Sequence, residues 1–596
     1  MKSICICILS LLTIIAHGQT TVEFIATGLP QNGKKHVGIR GDLPPLSWYE
    51  SVPMKKIGDQ YTVTLDFPKE TKKIEFKIVQ YDSDQDKKIN WEGIENRSLD
   101  LVANEKIVSI NEWNTEQTID ISTLPLLTPE QLADDYQLIE EMVLNVHPGT
   151  YRYNSKEEIK KGLAELQQTF SQPISYAEAY LAISKLLGQI QCDHTYASFY
   201  NQNGKIKSIL HRQRDKLPFT FKWANGKMIV FYNVSENSKL VRGTEIISIN
   251  GTSVEEIKNT ILPYIPADGA TDHNRLAKLE IKGYDFRYDA FDVCLPLFFP
   301  FKDENILLQI KPFGSEVVEE VTVKAVTRKD RTKKLIQKYA DFPATRDDIW
   351  DFKIIQEGVA ILKLGDFGLM GWKSLTLDYK EYFKSTFKKI KEENIQHLII
   401  DIRENAGGFD EIILELYNYF DIKGFNEKIQ EGRTRYTVFP ESLKPHIKTW
   451  GDNPWYFNMQ PDEVDEANGY YIFKDKIKYK HRKKRNAFGG KIYVLTNAVN
   501  GSLAYYFPKK VKQYQLATIV GQETGGNMRG INGGQILFLK LPNSEINIDF
   551  PIMSGFSRTP QPNRGVQPDI EVITTQQDIY EEVDKEVEVV LGLINK

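Results

Sequence analysis

Three short apolar stretches of this 596-residue chain each run straight into a tight turn. Residues 398–402 lead into Arg403-Glu404-Asn405-Ala406-Gly407-Gly408. Residues 494–496 lead into Asn497-Ala498-Val499-Asn500-Gly501-Ser502, and residues 516–520 into Gly521-Gln522-Glu523-Thr524-Gly525-Gly526. Continuous apolar runs of this length read as strands buried on both faces, the pattern of a parallel sheet. From residue 353 onward such strands alternate with helical periodicity, so this part of the chain reads as an α/β unit. In such sheets, sites form beyond the carboxyl ends of the strands, where these turns gather. Ser502 opens a helix at one of them, held away from the sheet and surrounded by free backbone N–H groups. That placement, with glycines where backbone must approach a reacting carbonyl, points to acyl transfer by an activated hydroxyl. The competing reading of Ser502 is a plain helix cap.

The length implies roughly three or four domains. A net charge of -4 argues against a dedicated nucleic-acid binder. The basic run at 474–485 reads as a solvated loop or hairpin. The N-terminus reads as an export signal (residues 1–18). Lys2 is followed by an apolar stretch at 4–16, too short to span a bilayer, and Ala16-His17-Gly18 is a small-x-small cleavage site. The expectation is a periplasmic, outer-surface or secreted protein without a transmembrane segment. Cys5 and Cys7 leave with the signal, and no cysteine follows the cleavage point to carry a lipid. Cys192 and Cys294 remain, as one disulfide or as two free buried thiols.

Residues 20–114 alternate in the manner of strands, clearest at 61–65 and 74–78. At Thr128-Pro129-Glu130-Gln131 the pattern becomes helical, with an N-cap, a proline at the first position and a capping-box glutamine. Further helices read at 155–170 and 176–189. Residues 217–326 look mainly β, with an Asn250-Gly251 turn closing one strand. Residues 576–593 read as one acidic amphipathic helix.

Several segments, in order, resemble the tricorn-like and C-terminal-processing serine peptidases. They are Cys192-Asp193-His194-Thr195, residues 242–251, residues 398–408, residues 500–504, residues 520–526, Leu541-Pro542-Asn543-Ser544 and residues 565–570. The resemblance implies a polypeptide substrate, Ser502 as nucleophile, and an oxyanion hole from Leu503 with Gly407 or Gly408. A serine hydroxyl needs a base. Relatives with a lysine base would carry it at Asn527, so the base is assigned to His194, whose ordinary pKa near 6.5 suits the task. The glutamate that orients the histidine in the tricorn-like branch is absent from Gln561-Pro562-Asn563-Arg564. Asp193 or Glu523 is the replacement. His147, before Pro148-Gly149, reads as a helix C-cap, and Asp401 and Arg403 as supports of the Gly-Gly turn. Pro508, two turns into the Ser502 helix, should kink it or cost about 3 kcal/mol.

Residues 22–108 resemble the starch-binding family of carbohydrate-binding modules. There Trp48 and Trp91 would stack on sugar rings, or else pack against the sandwich itself.

The expected molecule is multidomain α+β. It comprises a β-sandwich (19–120), a helical domain carrying His194 (121–208), a PDZ-like β domain (209–345) and an α/β catalytic core with a mostly parallel sheet (346–596). The resemblance implies a crotonase-like or ClpP-like spiral for that core. No cofactor and no metal are implied, since neither HExxH nor Cys/His ligand spacing occurs. The alternative is an inactive relative that binds peptide and glycan.

Overall fold

The computed structural model describes the whole chain except residues 1–18, 30–33, 35, 49, 70, 72, 83–89, 93–95, 102–106, 111–118, 285–286, 344–348, 369–377, 423–425, 429–431, 450–453, 475–477, 558 and 596. The export-signal reading therefore lies outside the described residues. The fold is multidomain α+β, in two compact units, Met1–Gln117 and Thr118–Lys596.

The first unit is built from two sheets. Gln19–Ala26 pairs antiparallel with Gln60–Pro68 and parallel with Ile107–Ile110. Lys73–Tyr81 pairs antiparallel with His36–Gly41 and Arg97–Asp100. Alternation along Lys73–Tyr81 buries Ile74, Phe76 and Ile78 against Val22, Phe24 and Phe67 of the other sheet. Phe24 and Phe76 meet edge to face, with ring centroids 5.0 Å apart.

The second unit opens with the helices Pro129–Glu141, Lys156–Phe170 and Tyr176–Gln189. Each begins with a complete capping box, formed by Thr128 with Gln131, Ser155 with Glu158, and Ser175 with Glu178. The first passes into a π-turn, Met142–Val146, capped by His147. These helices have no core of their own. Leu132, Ile139, Ile183 and Leu187 pack with Leu537, Leu539, Ile548 and Phe550. The latter belong to the antiparallel strands Gly534–Lys540 and Asn547–Gly555. Tyr196–Ala197 pairs with Asn547–Gly555, tying the histidine loop to the same sheet.

The middle of this unit is less purely β than its sequence suggests. A sheet running from Phe219–Ala224 to Glu319–Lys324 is interleaved with the helices Val254–Ile261, Asp272–Lys278 and Ala290–Phe298. Its Asn250-Gly251 turn is as read, with φ values of 49° and 83° joining Glu245–Ile249 to Thr252–Ser253.

The sheet expected at the site is present. Its order is Trp350–Gln356, Val359–Leu364, His397–Asp401, Lys491–Thr496, Thr518–Gly521, Ile570–Glu571, and only the first pairing is antiparallel. Leu398, Ile400 and Val494 face Phe383, Phe387 and Phe507 on one side. Ile399, Leu495 and Val520 face Val590 on the other. Both faces are buried, hence the unbroken apolar runs.

The C-terminal helix is two helices, Gln576–Glu581 and Lys585–Ile594. Glu582 takes a left-handed backbone, φ 60°, and Asp584 caps the second helix by accepting from the Val587 N–H. Pro508 leaves Ser502–Gln513 a single helix. Cys192 and Cys294 are free and buried in separate cores. In the basic run, Lys478–Lys480 pairs with Asn426–Lys428, while Lys474, Lys483 and Lys484 pair with Glu463, Asp421 and Glu415.

Candidate active site

One asparagine, through its side chain and its backbone carbonyl, locks the three turns together. Asn500 Oδ1 accepts from the Asn497 N–H at 2.7 Å, which closes the turn before Ser502. Asn500 Nδ2 donates to the carbonyls of Ile402 (2.6 Å) and Asn405 (3.0 Å). The Asn500 carbonyl accepts from the N–H groups of Gly525 (2.9 Å) and Gly526 (3.0 Å). Asn405 continues the network, accepting from the Gly407 N–H at 2.9 Å and donating to the Leu364 carbonyl at 2.7 Å.

Ser502 begins the helix Ser502–Gln513 at φ 46°, left-handed for a residue with a side chain. Such backbone costs about 1–3 kcal/mol and marks a position the surroundings over-determine. Gly407, at φ 119°, presses against it, and a Cβ there would stand 2.7 Å from Ser502 Cβ and 3.1 Å from Oγ. Gly408, at φ 144°, has no room for a Cβ beside the Phe367 backbone. Gly407 and Gly408 are alternatives beside Leu503 in the expected oxyanion hole. The Gly407 N–H is donated to Asn405 Oδ1, and Leu503 lies at the positive end of the helix dipole.

His194 sits between Tyr176–Gln189 and Tyr196–Ala197. Gly533 underlies its ring, and a Cβ there would lie 3.1 Å from Nε2. Burial pushes the imidazole pKa down to about 4, so it stands neutral and able to accept a proton at ordinary pH. Its Nδ1 is buried without a hydrogen-bond partner, an arrangement that costs about 1–3 kcal/mol. A cavity of 480 Å³ is lined by His194 and Asp193, by Ala406 and Val499 of two of the turns, and by Lys278 and Tyr288. Among the described residues no hydrogen bond joins His194 to Ser502.

Neither expected acid orients the imidazole. Asp193 forms an ion pair with Lys278, and its Oδ2 lies 3.0 Å from where a Gly501 Cβ would stand. Glu523 accepts from the Gly565 N–H at 2.7 Å. Glu523 is consumed in closing the turn onto residue 565.

The other assignments fall into structural roles. His147 is buried, contacting Thr195 Oγ1 at 2.7 Å and Thr150 Oγ1 at 3.1 Å, and caps its helix as expected. Arg403 grips both Asp401 oxygens at 2.9 and 2.8 Å, but also Asp584 and Glu586, so it clamps the C-terminal helix as well. Asn527 is buried and donates to the Asp268 carbonyl at 3.1 Å and to Asn563 Oδ1 at 2.7 Å.

Cys192, His194 and Asp268 bring donor atoms within 4.8 Å of one another. The Cys192 thiol contacts the Asn532 carbonyl at 3.6 Å, and burial raises its pKa to about 12. In the first unit, Trp48 is half-buried and Trp91 is 38% exposed. Their rings are 6.3 Å apart and tilted by 43°, with Arg40 over Trp91.

Sequence reasoning did not single out Asn500 or Asn405. The two asparagines sit inside the recognised turns, where they read only as turn formers.

Residues 358–572 match Peptidase family S41, and residues 19–111 match the starch binding domain. No curated protein matches the chain. Among solved structures, mature CPAF complexed with lactacystin matches with a TM-score of 0.54 at 17% identity, covering 78% of this chain and 99% of that one. Mature CPAF gives 0.53 at 16%, covering 78% and 98%. The photosystem II D1 C-terminal processing protease gives 0.35 at 11%, covering 74% and 92%. The likeness to CPAF carries the fold. The chain carries a serine-type peptidase region, matched by Peptidase family S41 over residues 358–572. Among the described residues, no helix is long and apolar enough to cross a membrane.

Proposed function

We propose that the protein is an exported endopeptidase or C-terminal-processing peptidase in which Ser502 is the nucleophile and His194 the general base. Ser502 Oγ attacks the scissile carbonyl carbon as its proton passes to His194. The oxyanion is received by the N–H groups of Gly408 and Leu503. The intermediate collapses, the leaving amine takes the proton from His194, and water then hydrolyses the acyl-serine by the same route. The observation that carries this reading is the left-handed Ser502 at a helix start, wedged against Gly407 beside two unspent N–H groups. Because His194 and Ser502 are not hydrogen-bonded, productive catalysis requires the cleft to tighten around substrate. We read residues 209–345 as a PDZ-like domain flanking the cleft, the core as a crotonase-like or ClpP-like spiral, and Trp48 with Trp91 as a glycan platform.

Fluorophosphonate labelling of the protein from residue 19 tests the site. Wild type should give a stoichiometric adduct at Ser502, with Ser502→Ala and His194→Ala unreactive. The second reading, an inactive peptide- and glycan-binding relative, is favoured by the missing Ser502–His194 hydrogen bond. It prevails if folded wild type labels no better than Ser502→Ala.

A further inference from the structure

Residues 561–564 offer His194 no acid, and Asp193 and Glu523 are engaged elsewhere. Another carboxylate stands beside the imidazole. We propose that Asp268 is the positioning residue for His194, accepting the Nδ1–H of the neutral ring and stabilising the imidazolium formed when Ser502 attacks. The proposal rests on reading Ser502 and His194 as the nucleophile–base pair.

Asp268 lies in the loop before Asp272–Lys278 and is 1% exposed. Its Oδ1 accepts from the Asp193 N–H at 3.0 Å, which fixes the carboxylate one residue from His194. Its Oδ2 is buried without a hydrogen-bond partner, as is His194 Nδ1. A carboxylate oxygen of Asp268 and an imidazole nitrogen of His194 lie within 4.8 Å of each other. A buried anionic acceptor and a buried ring nitrogen, each lacking another partner, are the pair a folded interior brings together. A small rotation of the ring or one bridging water joins them.

The loop is held from three sides. The Gly269 N–H donates to the Gln191 carbonyl at 3.1 Å. Asn527 Nδ2 donates to the Asp268 carbonyl at 3.1 Å. Asn563 Oδ1 accepts from the Ala270 N–H at 3.1 Å and from Asn527 Nδ2 at 2.7 Å. Asn527 occupies the position where a lysine base would stand, and Asn563 lies in the stretch that lacks the glutamate. At both positions the side chain has become an anchor for the Asp268 loop.

Arg152, Arg275, Cys192, Tyr153, Tyr505 and His194 are the titratable and charged groups facing Asp268. Burial pushes the Asp268 carboxyl up to about 7, opposed by the two arginines. His194 is held near 4 by its own burial. A rate limb near neutrality therefore belongs to Asp268, because its ionised form is the acceptor for Nδ1–H.

The test is the second-order rate of fluorophosphonate labelling from about pH 5 to 9. Wild type, Asp268→Asn, Asp268→Glu and His194→Ala are compared, with thermal unfolding as the fold check. Wild-type rate should rise through about pH 7. Asp268→Asn should slow labelling by about 10²–10⁴-fold and remove that limb, and Asp268→Glu should recover part of both. Should the Asn variant not fold, wild type decides. Its phosphonylated form must show a strongly downfield Nδ1–H proton resonance, absent from His194→Ala, and lack of that signal overturns the assignment. Labelling that needs His194 yet stays within about threefold in folded Asp268→Asn, with the limb unmoved, overturns Asp268 alone. Labelling indifferent to His194 overturns the Ser502–His194 reading and Asp268 with it.

Discussion

Gly407 and Gly408 are adjacent, and both have positive φ, but a methyl group at each meets a different obstacle. At 407 it meets Ser502 Cβ at 2.7 Å and the Leu503 nitrogen at 3.0 Å, a crowding that a small local shift relieves; at 408 it overlaps the Phe367 backbone at 1.9 Å, which no small shift relieves. Gly407→Ala should therefore fold, with the strain of its φ lowering stability by about 1–3 kcal/mol. It should lose roughly 10²-fold in peptide hydrolysis, because the nucleophile is displaced by a fraction of an ångström to an ångström. Gly408→Ala should fail to accumulate as folded protein. Expression, circular dichroism and labelling of the two variants side by side separate the outcomes, and equal behaviour would undo the argument. Asp268, proposed above to position His194, shows why part of the candidate site stays hidden in the sequence. Its contacts come from Asp193 and Asn527, 75 and 259 residues away. No local pattern marks such a residue, whereas Ser502 announces itself through the turn that carries it.

At the scale of elements, legibility follows the range of the interaction that sets each boundary. Helix starts at Thr128, Ser155 and Ser175 depend on a side chain and backbone three residues apart, so the sequence displays them. The break after Glu581 depends on a left-handed glutamate and on an aspartate that also serves a distant arginine. Periodicity alone ran through it. That arginine supplies a prediction. Arg403 is the counter-charge for the buried Asp401 and Glu586, and for the 45%-exposed Asp584. Arg403→Met strands two buried carboxylates and should cost about 3 kcal/mol. Asp584→Asn removes a half-exposed partner and should cost no more than about 1 kcal/mol. The proposed oxyanion turn follows Arg403 directly, so the Met variant should also label more slowly. Unfolding midpoints and labelling rates check both effects.

His147 makes a second prediction at this scale. Burial, assisted by Arg435 and Arg152, pushes its pKa down to about 3 from 6.5. Between those values the unfolded chain holds a proton that the folded chain refuses. Its contribution is therefore fully present above about 6.5 and is lost as pH falls toward 3, at about 1.4 kcal/mol per pH unit. His147→Gln should be less stable at neutral pH. Its stability should decline less steeply than wild type between about pH 6 and 4, by up to that slope. Parallel pH curves for the two proteins would show that His147 does not stay neutral in the fold.

The whole molecule divides into units with separate cores, and each carries its own recognisable chemistry. The three turns of the candidate site, His194 and Asp268 all lie within Thr118–Lys596, while Trp48 and Trp91 lie within Met1–Gln117. A chain beginning at Thr118 should therefore label with fluorophosphonate at a rate within about twofold of the full protein, as independent sites add without coupling. Retention on starch should be absent from that truncated chain. In the full chain, Trp91→Ala should weaken starch binding by roughly 10–100-fold, the range expected for losing a buried aromatic face, and leave labelling unchanged. Affinity electrophoresis in soluble starch reads the first effect and the labelling rate the second. If truncation abolishes labelling although the shortened chain is folded, the first unit does more than hold a glycan, and its contribution must be sought in how the cleft closes. If labelling persists and starch never slows the full chain, the two tryptophans are packing for the sandwich, and the match to a starch-binding domain describes its fold without its ligand.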